Sequence, residues 1–209
     1  MMVIPGIYRV DGVRGGNVYI LSSKEGLTII DTGLPGNDSR IISYLEDVLG
    51  SDPEDVIYII LTHGHLDHSG SLPELADITG AKVVVHEKEV EYIRSKVFFG
   101  GDFNPDILLV GGEQLDIFGQ FKVIHAPGHT DGSIVLWKPG DILITGDVLI
   151  TNKEGRLELP KKEYTKDEEK EKIAVKELTK LDFLIILPGH GPPILEKARD
   201  LLLSLAASL

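Results

Sequence analysis

Between Leu61 and Gly70 the chain reads LTHGHLDHSG, with His63, His65, Asp67 and His68 packed into six residues directly after the apolar run VIYIILT. Imidazole nitrogen and carboxylate oxygen are donors for divalent first-row cations. In an extended segment residues i and i+2 point the same way, so His63 and His65 face one point, with Gly64 keeping the backbone compact between them. Asp67 and His68 follow as the chain turns and aim at a neighbouring point. The spacing therefore offers two pairs of ligands to two adjacent positions, and Gly70 lets the turn close.

A four-coordinate site needs more donors than one turn supplies. Three other turns offer them: His129 in APGHTDGS, Asp147 in LITGDVL and His190 in LPGHGPP, each after an apolar run. Five of the seven histidines lie in these motifs, and strand ends held by a packed sheet are where ligands are placed with accuracy. A lone GHG reads as a solvated turn; all the motifs together read as a metal site. Among the remaining residues, His86 beside Glu87 reads as structural or surface. His125 either braces a ligand or packs at a strand end. Thr130, Asp131 and Ser133 read as turn capping. The stretch from Phe98 to Phe103 reads equally as an apolar lid or as a buried or subunit-contacting loop, and the Lys/Glu run from Lys161 to Lys180 as a solvated helix face with i,i+4 pairs.

The chain-wide numbers narrow the chemistry. No cysteine occurs among the 209 residues, so disulfides, thiolate ligands and a cysteine nucleophile are excluded. A formal net charge of −12 disfavours nucleic acid as a partner. No apolar run approaches the ~20 residues a membrane helix needs, and the opening MMVIPGIYRV lacks the pattern of a signal peptide. The expectation is a cytoplasmic protein acting on a small molecule, away from membranes, as a monomer or homodimer.

The elements that must position these residues follow from periodicity. IYRV, NVYILSS, GLTIIDTG, VIYIILT and KVVVH read as strands, interleaved with helices over DSRIISYLEDVLG, SGSLPELADITG and EKEVEYIRSKV. Asp38 or Ser39 is the expected cap of the first helix and Gly50 its stop. The stretch FFGGDFNPDILLVGGEQLDIFG, with its Gly pairs, reads as a long loop leading into a strand. FKVIHAPGHT, GSIVLWKPG and DILITGD read as strands with tight turns, then TKDEEKEKIAVKELTKL as a helix, DFLIILPGHG as a strand and PILEKARDLLLSLAASL as a helix. Strands outnumber helices and fall into two groups, each with its own helices. That predicts an α+β chain of two sheets with helices outside, residues 1–209 forming one domain.

The motifs THGHLDH, GHT, TGD and PGHG, with DTG upstream, resemble those of the metallo-β-lactamase-fold hydrolases from Asp31 to His190. The resemblance implies a four-layer αββα sandwich and two divalent cations, zinc first, with iron or manganese also compatible. It implies that His63, His65 and His129 bind one cation, that Asp67, His68 and His190 bind the other, and that Asp147 bridges both. Asp31 is implied to hold the ligand loop without binding metal. Asp67 and Asp147 would share in catalysis through a hydroxide held between the two cations.

Length and the PGHG ending are most similar to short glyoxalase II-type thioesterases, which implies attack on a thioester or related ester. The chain runs about 19 residues past His190, without the C-terminal helical domain that carries the glutathione-binding residues of longer members. Other thiols and small lactones therefore stand beside acylated glutathione. The β-lactamases that use a Cys ligand are excluded, and neither length nor charge supports the RNA-gripping arm of the nuclease members. Alternatives are a persulfide dioxygenase with one iron at His63, His129 and Asp147, a lactonase or phosphodiesterase of the same fold, and a non-catalytic metal-stabilised binding module.

Overall fold

The computed structural model describes residues 1–96 and 103–209. Two compact units divide the chain at residues 109 and 110. The first carries a seven-stranded sheet of β1 (Met2–Ile4), β2 (Ile7–Arg9), β3 (Tyr19–Ser22), β4 (Leu27–Ile30), β5 (Val56–Ile60), β6 (Lys82–His86) and β7 (Ile107–Leu109), arranged spatially in chain order. The first four strands pair antiparallel, and β4 to β7 run parallel. Parallel pairing needs crossovers. These pass through α1 (Asp38–Ser43), α2 (Leu66–Ser69) with α3 (Leu72–Thr79), and α4 (Val90–Arg94). β4 is buried throughout, Thr28 included, and β5, the apolar run that suits a strand covered on both faces, is buried at Val56, Ile59 and Ile60 and half-buried at Ile57 and Tyr58. Ile29, Ile59, Val83 and Val85 pack with Ile41, Leu45, Leu72, Leu75 and Ile93 into one core.

The second unit holds a five-stranded sheet in the order β14-β11-β10-β9-β8. Its strands are β8 (Gln114–Asp116), β9 (Gln120–His125), β10 (Ile134–Lys138), β11 (Asp141–Gly146) and β14 (Phe183–Pro188). A two-stranded pair, β12 (Ile150–Thr151) with β13 (Leu157–Glu158), stands apart from it. α5 (Glu168–Leu178) and α6 (Ala198–Ala206) complete the unit. Val175, Leu178 and Leu202 of these helices share a core with Leu143, Phe183 and Ile186 of the sheet.

Several sequence expectations change on the structure. The helix expected over DSRIISYLEDVLG is α1 continued by a π-helical turn, Tyr44–Leu49, stopped by Gly50 in the left-handed conformation. Its cap is Asn37 rather than Asp38 or Ser39. The Asn37 side chain pairs with the backbone of Arg14 instead of capping the helix. The expected long loop contains β7 and β8, because Ile107 to Leu109 add to the parallel edge of β6 while the Gly111–Gly112 pair turns the chain onward. The lid expectation for residues 98 to 103 lies outside the described residues, Phe103 excepted, which is buried in the first unit's core.

Candidate metal centre

In the first unit the histidine-rich motif leaves the carboxyl end of β5. Asp31 leaves the carboxyl end of its parallel neighbour β4, where Ile30 is in register with Ile60. Ligand sites of parallel sheets gather at such ends. Asp31 sits at φ 58°, a left-handed conformation that Asp tolerates better than most residues, and its bonds hold it there. Its Oδ1 accepts from the Thr62 N–H at 2.7 Å. Its Oδ2 accepts from the Thr62 hydroxyl at 2.7 Å and faces His68 Nδ1 at 2.8 Å.

Proton bookkeeping follows from the donor inventory. A carboxylate only accepts, so His68 carries a proton on Nδ1, and in the neutral ring Nε2 is the nitrogen with the lone pair. The Thr62 hydroxyl spends its proton on Asp31, so its oxygen accepts from His63 Nδ1 at 3.1 Å, and His63 is fixed in the same tautomer. In the neutral imidazole both rings then keep Nε2 as the lone-pair nitrogen, the form in which imidazole ligates metal. The rings cluster: centroids of His63 and His65 are 4.8 Å apart, and those of His63 and His68 are 4.2 Å apart. Asp67 and His68 lie on the single turn of α2, with Asp67 Oδ2 3.9 Å from His68 Nε2.

In the second unit, β9 and β11 are both antiparallel to β10, so they run the same way, and β14 runs parallel to β11. The turns after β9, β11 and β14 therefore leave the same edge of the sheet. They carry His129, Asp147 and His190. Asp147 Oδ2 lies 3.6 Å from His129 Nε2 and 3.4 Å from His190 Nε2. Gly189 permits this approach, because a Cβ there would overlap Asp147 Oδ1 and the Gly146 carbonyl. Thr151 of β12 ties down the His190 turn, its N–H and hydroxyl both donating to the His190 carbonyl and the hydroxyl also to that of Pro192. The His129 turn is lashed to the start of α5, where the Lys166 N–H donates to His129 O and the Asp167 N–H to Gly128 O.

Side chains of the remaining motifs find other work. His86 is buried rather than on the surface, and its Nδ1 accepts from the Lys88 N–H. His125 donates through Nε2 to the Asp131 carbonyl. Thr130 and Ser133 bond within their turn, while Asp131 pairs with Lys166. Lys170 with Asp167, Lys172 with Glu169 and Lys180 with Glu177 pair at i,i+3, and Lys162 reaches Glu168 from before the helix. One member of the Lys/Glu run is not solvated at all. Glu171 is 2% exposed, 3.9 Å from His129 Nδ1, and burial pushes its carboxyl up to about 8. Glu89, equally buried, was also invisible in the sequence.

Three imidazoles and a carboxylate gather at one strand end of the first unit, and two imidazoles and a carboxylate along one sheet edge of the second; each is a nitrogen–oxygen donor group suited to a divalent cation. Such a set on this fold defines a metal-dependent hydrolase. The chain belongs to the metallo-beta-lactamase superfamily, whose model matches residues 11–190. It is 30% identical to the probable metallo-hydrolase YqgX of Bacillus subtilis, over 84% of this chain and 85% of that one. It is 31% identical to the hydroxyacylglutathione hydrolase GloC of Haemophilus influenzae, over 82% and 83% of the two chains. A metallo-beta-lactamase from Pontibacter korlensis shares the fold with a TM-score of 0.79 at 21% identity, covering 100% of this chain and 98% of that one. No helix among the described residues is long and apolar enough to cross a membrane.

Proposed function

We propose that the chain is a thioester hydrolase of the glyoxalase II type, working with two divalent cations, zinc first. The family match runs through both units, and on this reading residues 1–209 act as one domain. His63, His65 and His129 would hold the first cation, Asp67, His68 and His190 the second, and Asp147 would serve both. What carries the reading is the donor set itself: five imidazoles and two carboxylates, with the protons of His63 and His68 parked on the nitrogens that face Thr62 and Asp31. The likeness to a hydroxyacylglutathione hydrolase over 82% of the chain supports the substrate class.

Two divalent cations in such a site acidify water and polarise a carbonyl oxygen. The residues do the rest. Asp147 supplies a single negative charge to both positions, and Asp67 a second. His63, His68 and His129 are buried, whereas His65 is partly exposed and the side chains of Asp67 and His190 are about one-third exposed. A thiolate leaving group suits this arrangement because it departs without a proton, so no general acid is required of the chain. The test is a panel of S-lactoylglutathione, other acyl thioesters, lactones and phosphodiesters given to the zinc-loaded protein. Thioester turnover is expected, and His65→Ala should abolish it while the sheet cores survive. Full activity in that variant, or oxygen uptake on glutathione persulfide with a single iron bound, would overturn the reading.

A further inference from the structure

The peptide between His63 and His65 rests on a carboxylate. Glu89, just before α4, is 1% exposed, and its Oε2 accepts the Gly64 N–H at 2.8 Å. Position 64 has no room for a side chain: a Cβ would stand 2.6 Å from Glu89 Oε2, 2.9 Å from Tyr92 Cδ1 and 3.0 Å from Ile93 Cγ1. The Tyr92 ring meets His65 edge-on, centroids 5.8 Å apart, and Ile93 anchors α4 in the first unit's core. The helix thus reaches the ligand loop at Gly64 and His65, while Asp31 holds Thr62 and His68.

We propose that Glu89 is a positioning residue: by accepting the Gly64 N–H it fixes the backbone between His63 and His65, so that both imidazoles converge on one cation. The proposal rests on the reading of those two histidines as ligands. Burying an ionisable side chain is costly unless it is hydrogen-bonded, and an apolar residue would fill the same space without that cost. A Glu here makes sense as the acceptor for the Gly64 N–H, which lies between two proposed ligands. Fixed partners behind metal ligands are worth roughly 10–100-fold in metal affinity.

The experiment compares zinc affinity of wild type, Glu89→Ala, Glu89→Gln and Glu89→Asp by chelator competition, with visible absorption of the cobalt-loaded proteins as a report on coordination geometry. Thr79→Val, a buried change in the same unit that removes a hydroxyl bonded to the Leu75 carbonyl, controls for plain destabilisation. Glu89→Ala should weaken one zinc equivalent roughly 10–100-fold and alter the cobalt spectrum. Glu89→Gln keeps an acceptor oxygen and should recover most of the affinity, and Thr79→Val should leave it unchanged. If Glu89→Ala does not fold, Glu89→Asp, one methylene too short to reach Gly64, should show the same loss. Wild-type affinity and spectrum in Glu89→Ala or Glu89→Asp would overturn the positioning role while leaving the metal centre intact. A wild type that takes up no cation would overturn both.

Discussion

At the level of single residues, Asp31 does more than its side chain suggests. One carboxylate accepts a backbone N–H, a hydroxyl and an imidazole N–H, and so sets the tautomers of His68 directly and of His63 through Thr62. Asn at this position tolerates the left-handed backbone, but its NH₂ cannot accept. Asp31→Asn should therefore fold, with a stability loss of about 1–3 kcal/mol for the bond it cannot make. Zinc affinity should fall roughly 10–100-fold. Denaturant unfolding of the zinc-free protein together with chelator competition checks both; unchanged affinity would mean that tautomer control is unimportant here.

Among elements, the sheets decide where ligands can stand. β9, β11 and β14 share a direction, so their following turns share an edge, and Gly189 lets the last of these turns close on Asp147. Gly189→Ala must displace either Asp147 or the Gly146 carbonyl. It should cost about 1–3 kcal/mol from overpacking and lower zinc occupancy as well, read by thermal unfolding and elemental analysis. A stable, fully loaded variant would show that the turn adapts. The His and Asp motifs stand out in the sequence because each is local: an apolar run, then a turn with Gly that carries His or Asp. Glu89 and Glu171 were not legible there, because a glutamate in a charged stretch looks solvated until Gly64 or His129 is found beside it. Asn37 hid its role for the same reason, its partner Arg14 lying 23 residues away. β7 and β8 were hidden by the glycines between them, and their strand character comes from the partners β6 and β9.

Taking the molecule whole, each unit has its own core and carries proposed ligands of its own: His63, His65, Asp67 and His68 in one, His129, Asp147 and His190 in the other. Cation binding then stabilises the fold by mass action. Free zinc at 1,000 times its dissociation constant adds about 4 kcal/mol per site, which for a chain of this size raises the melting temperature by on the order of 10 °C. Calorimetry with and without chelator should show that difference, and equal melting temperatures would argue that the cations do not engage the native protein. The most direct measurement is elemental analysis of the purified protein beside Asp147→Ala. Two divalent cations per chain are predicted for the wild type, with both weakened when the shared carboxylate is removed. Loss of a single equivalent in the variant, or a wild type that carries one cation or none, would contradict a centre bridged by Asp147.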